Sequence, residues 1–91
     1  MMVEFCGLHM QVGLMETDNQ FELVDLENGM LLSHFSAGIA APEGCCYIDS
    51  SDLLVSKVVK IMLEEGAVEP IASEFSVYPL YRITAGFKNF L

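Results

Sequence analysis

The sequence predicts an α+β domain: a single antiparallel sheet of about five to six strands with one apolar helix packed on it, in the order β-β-β-β-α-β-β. Two observations carry this. Short runs of alternating or β-favouring apolar residues, broken by Gly, Pro and Asn, occupy residues 3–49 and 68–83, as in half-buried strands. Between them, eight of the eleven residues from Leu53 to Leu63 are aliphatic or Met, with a capping cluster before them and a glycine after, as in a helix. The 91 residues, 53% of them hydrophobic, are enough for one core and read as one domain, 1–91, with 85–91 as an apolar tail.

The first segment changes phase. Val3 and Phe5 occupy odd positions, whereas Leu8, Met10, Val12 and Leu14 occupy even ones. The change falls at Cys6-Gly7, where glycine supplies a bulge or a tight turn. From Leu8 on, the even positions are expected inward, with His9 and Gln11 outward. Glu16 to Gln20 reads as a polar connector, followed by a strand from Phe21 to Leu26. Asn28-Gly29 is a hairpin signal, because a type I′ turn needs positive φ at both central residues. A strict two-residue turn would pair Glu27 with Met30 and leave both hairpin faces mixed. Either the loop is longer or both faces are partly covered.

The returning strand is Met30 to Ser36, and Gly38, Pro42 and Gly44 mark an irregular crossing. Cys45 to Asp49 suits a short strand. Asp49-Ser50-Ser51-Asp52 supplies N-cap candidates for a helix from Ser51 to Glu65, stopped at Gly66. That helix is apolar over more than the roughly 100° arc one sheet contact needs, so a second surface is expected against it. Val68 to Ile71 and Ser76 to Ile83 read as two more strands. Pro79 lacks an amide donor and suggests an edge or a bulge in the last one. The tail with Phe87, Phe90 and Leu91 is long enough to dock on the domain or on a neighbour.

Charge is the second strong signal. The chain has 13 acidic and 4 basic residues, a net charge of -9, and no Lys or Arg precedes Lys57. Such a surface repels nucleic acid and lipid headgroups and attracts basic proteins. Glu16, Asp18, Glu22, Asp25 and Glu27 are the candidate acidic interaction surface. A small, hydrophobic domain also leaves apolar surface outside, which points to a homo-oligomeric or partner interface. No apolar run approaches the roughly 20 residues that span a bilayer, and no basic signal-peptide region opens the chain. A cytoplasmic protein with reduced thiols is expected, since three cysteines without framework spacing make no disulfide scaffold.

Catalytic chemistry is hardly signalled. The seven glycines lie scattered and form no phosphate loop. His9, His34, Cys6, Cys45 and Cys46 include no metal-ligand spacing, so neither a metal nor another cofactor is expected. Nothing positions a Cys-His pair for nucleophilic catalysis. At Ser50-Ser51 the flanking Asp49 and Asp52 would repel an anion, so capping is the better reading. The expected function is a non-catalytic interaction module, with a structural homodimer whose acidity serves solubility as the alternative.

Several short motifs stand in a distinctive order: Cys6-Gly7-Leu8, Leu23-Val24-Asp25 with Asn28-Gly29, Ser36-Ala37-Gly38-Ile39, Ile61 through Gly66, Glu69-Pro70 and Tyr78-Pro79-Leu80-Tyr81. In this order the chain resembles the domain of unknown function numbered 4313, small proteins of gut bacteria and of their conjugative and phage-like elements. The likeness runs over nearly the whole chain. Ser36-Ala37-Gly38 stands where that family has a Thr-Val-Asn-like stretch, and Ser73-Glu74-Phe75 where it has a glycine-bearing turn. The resemblance implies an accessory protein of a mobile element and carries over no catalytic residue. Joined to the acidity, it suggests an inhibitor of a nucleic-acid-handling defence protein, of anti-restriction or anti-CRISPR type.

Overall fold

In the computed structural model, which describes residues 1–18, 20–72 and 77–91, the chain is α+β but has two sheets rather than one. The first has four antiparallel strands in sequential order: β1 (Met2–Phe5), β2 (Leu8–Thr17), β3 (Gln20–Asp25) and β4 (Leu31–His34). The second has three, with β7 (Leu80–Ile83) in the middle between β5 (Cys45–Tyr47) and β6 (Val68–Ile71). Helix α1 (Leu53–Glu64) lies between β5 and β6 in the chain, and a 3₁₀ helix (Ala85–Phe90) closes it.

The phase change at Cys6-Gly7 is a tight turn. Both residues have positive φ, 52° and 79°, as a type I′ hairpin requires. Val3 then opposes Met10 and Phe5 opposes Leu8, so odd positions of β1 share a face with even positions of β2. That face buries Val3, Val12 and Leu14, while Leu8, at the hairpin end, is exposed rather than inward. This hairpin adds the strand that the expected order lacked.

The expected connector at Glu16–Gln20 is mostly strand. Thr17 pairs with Gln20, and Asp18 turns at φ 47°. Beyond Leu14 the ladder outruns the core, so backbone pairing continues while its side chains become polar. Asn19 of that connector lies outside the described residues. At Asn28-Gly29 the type I′ expectation fails, since Gly29 has positive φ and Asn28 does not. The loop is the longer one: Asp25 N–H donates to the Met30 carbonyl at 2.9 Å, and a register shift follows at Leu23/Val24.

The sheets separate because the crossing at residues 37–44 carries the chain away from β4. One bridge, Ser36 with Ile48, still links them, so the strands expected at Met30–Ser36 and Cys45–Asp49 are each shorter. Pro79 marks neither an edge nor a bulge. It precedes β7, where its carbonyl accepts from Ile48 N–H at 3.1 Å and its missing donor costs no ladder bond. Pro70 sits in β6, an edge strand, where proline is tolerated. The expected strand start at Ser76 and the turn at 73–75 lie outside the described residues.

Helix α1 starts two residues later than expected because Asp52 is its N-cap, accepting from the N–H groups of Leu54 and Val55. It ends in a Schellman arrangement, with Ala67 N–H donating to the Met62 carbonyl and Gly66 N–H to that of Leu63. Leu54, Val55, Val58, Val59 and Met62 face one core shared with Val3, Val12, Leu14, Leu23, Phe35, Ile48 and Val68. Phe87 and Phe90 of the tail plug that core. Thr84 fixes the entry to the tail, its hydroxyl donating to the Gly66 carbonyl at 2.6 Å. The tail thus joins the core that α1 faces, while Leu53 and Leu63 on the helix's other side remain exposed. No described helix is long and apolar enough to cross a membrane.

Candidate functional site

A cleft of about 710 Å³ lies between the β2–β3 hairpin end and the crossing at residues 38–44. Glu16, Asp18, Gln20 and Phe21 form one wall, and Ile39, Pro42, Glu43 and Gly44 belong to the other. Ser36, Cys45, Cys46, Tyr47 and Ile83 also line it. Three carboxylates border the space, and no Lys, Arg or His is among the described lining residues.

Hydrogen bonds hold the walls together. The Ser36 hydroxyl donates to Gln20 Oε1 at 2.5 Å and accepts from Phe21 N–H at 2.9 Å. Gly38 N–H donates to the same Gln20 oxygen at 3.2 Å, tying the crossing to β3. The loop end is pinned by Cys45 N–H on the Pro42 carbonyl and Ile83 N–H on the Gly44 carbonyl. A built polar frame of this kind keeps the cleft open at small conformational cost.

Beyond the Gln20–Ser36 link lies a second hollow of about 310 Å³, containing Glu22, His34 and Asp49. Glu22 meets His34 Nδ1 at 2.5 Å, with the two residues directly opposed across β3 and β4. The five acidic candidates therefore divide. Glu16 and Asp18 border the cleft, and Glu22 lies in the adjoining hollow. Asp25 and Glu27 sit at the opposite hairpin end, about 17 Å away along a six-residue strand. There Asp25 Oδ1 accepts from Glu27 N–H. Glu43, which the sequence reading passed over, completes the cleft. Its signal was a carboxylate inside a Pro42-Glu43-Gly44 turn, a place where side chains project.

The thiols offer little chemistry. All three cysteines are free, with Cys6 exposed at its hairpin and Cys45 half-buried. Burial, with Cys45 adjacent, pushes the Cys46 thiol up to about 11, so it stays protonated and weakly nucleophilic near neutrality. Among the described residues no three His, Cys, Asp or Glu side chains are grouped to hold a metal. No family model, curated protein or solved structure matches the chain, and the site is read from its own geometry.

Proposed function

We propose that the protein is a non-catalytic interaction module whose acidic cleft takes a Lys- or Arg-bearing segment of a basic partner protein. The carrying observation is that Glu16, Asp18 and Glu43 converge on one cleft whose described lining has no basic side chain. The basic-free sequence before Lys57 gives the same region a long-range negative field that steers such a partner inward. In the sharpest form of this reading, suggested by the mobile-element resemblance, the basic segment belongs to the nucleic-acid groove of a defence enzyme. The module would then inhibit it by occupying the place of phosphates.

Titration of the isotope-labelled protein with an oligolysine peptide and with an oligoglutamate control tests the core of this reading. Expected are shifts of backbone amides at Glu16, Gln20, Glu43 and Gly44 with the basic peptide only, weakened by salt and by E16Q/E43Q. Basic peptide that leaves those amides unmoved, or binds as well at high salt, overturns it. For the inhibitor form, the protein must also compete with nucleic acid for a basic enzyme groove.

A further inference from the structure

We propose that the chain self-associates head to tail, the outer stripe of α1 in one copy seating on the uncovered face of the four-stranded sheet of the next. This stands independently of the basic-partner reading, since it uses neither the cleft nor its carboxylates.

An antiparallel sheet with one solvated face normally alternates to polar residues on that face. Here the outer face carries Met2, Met15, Leu26 and Leu31, each about half exposed, around a nearly buried Val24. The register makes them contiguous. Gly13 opposes Val24, Val24 opposes Leu31, and the Leu26 side chain folds over Gly13, where an added Cβ would lie 2.7 Å from Leu26 Cδ2. The ionisable groups on this face are Glu4 opposite His9 and Glu22 opposite His34, with no Lys or Arg. The uncovered face is therefore apolar at its centre, with exposed Glu4 at one margin and Glu22, largely covered and bound to His34, at the other.

The complement lies on the same chain. Leu53, Lys57, Lys60 and Leu63 follow one another at three- and four-residue steps along the exposed side of α1. Lys57 and Lys60 are half of the chain's basic residues and have no carboxylate partner among the described residues. Leu53 is 75% exposed, an apolar side chain left in water at the start of the helix. Glu64 also lies on this stripe and opposes the attraction, but the stripe keeps a net positive charge.

Size and charge both select this pairing. Four strands spaced about 4.8 Å apart span about 14 Å, and a helix is about 10–12 Å across, so one helix matches the width of the face. Stacking two sheet faces would instead oppose Glu4 and Glu22 with their own copies. Both surfaces point away from the core, so the contact is heterologous and each copy keeps a free stripe and a free face. Such a contact builds rings or open chains rather than a closed two-fold dimer.

Sedimentation velocity on the protein alone, across concentration and salt, tests this. Expected is a concentration-dependent series of oligomers that shortens at high salt. K57E/K60E and M15D/L31D should each be monomeric, with unchanged far-ultraviolet circular dichroism because all four positions are exposed. Mixed in equal amounts, the two variants should form a dimer that grows no further, since one retains only a working face and the other only a working stripe. A wild type that is monomeric up to about 1 mM overturns the proposal. So do oligomers that survive in either variant, or a mixture that fails to pair.

Discussion

Phe21 and Phe87 meet edge to face, with ring centroids 5.1 Å apart and planes at 72°. Third strand and terminal turn are thereby joined across 66 residues of sequence. Phe87 is almost fully buried, so Phe87→Ala removes both this contact and a large core side chain. We expect a loss of about 3–5 kcal/mol in urea unfolding. Leu91→Ala, at an exposed position, should change stability by less than about 0.5 kcal/mol.

Asp52 binds in two directions. One carboxylate oxygen caps α1 through Leu54 and Val55, and the other accepts from the Ser33 hydroxyl at 2.8 Å. Asp52→Ala should cost about 1–2 kcal/mol, whereas Asp52→Asn should retain most of the cap. Ser33→Ala, which breaks only the link to β4, should fall between them. Thermal unfolding of the three variants gives the order.

Cys6 occupies left-handed backbone at φ 52°, a conformation costing a side-chain-bearing residue roughly 1 kcal/mol. Cys6→Gly or Cys6→Asn should therefore be neutral or stabilising, and Cys6→Val clearly destabilising. Equilibrium unfolding under reducing conditions separates these outcomes.

The raised Cys46 thiol sets an alkaline limit. Unfolded, the thiol ionises near its ordinary value of 9.0; folded, only at about 11, chiefly because it is buried. The associated stability is intact below about pH 9 and drains away as pH rises towards 11, because the unfolded chain loses its proton first. Cys46→Ala should flatten the fall in stability over that window. At neutral pH an alkylating reagent should label exposed Cys6 well before Cys46.

How much of this was legible in the chain depends on what each residue had to report. The helix was readable because the cluster Asp49 to Asp52 and Gly66 punctuate it and eight of the eleven residues from Leu53 to Leu63 are apolar, although the cap itself was placed too early. The hairpin at Cys6-Gly7 was signalled by a phase change but left open between bulge and turn, since both relocate the alternation. Glu16 and Thr17 were misread because polarity is the usual mark of a loop, and the strand there had merely run past its core. Pro79 misled because a missing donor matters only inside the ladder, and it stands one residue outside. The cleft was least visible. Gly38, Ile39, Ala40 and Ala41 of its far wall carry no polar pattern, and Glu43 comes to line the same cleft as Glu16 only through the crossing's path.

The placement of β7 between β5 and β6 bears on how the molecule is made. Both neighbours are synthesised before it, and neither has another strand to pair with in that sheet. During translation the first four strands can assemble as they emerge, whereas residues 45–47 and 68–71 must wait, their backbone groups bonded to water. Closure is consequently a late event, completed only once residues 80–90 have emerged, and a product stalled before them would leave the core open where Phe87 and Phe90 otherwise fill it.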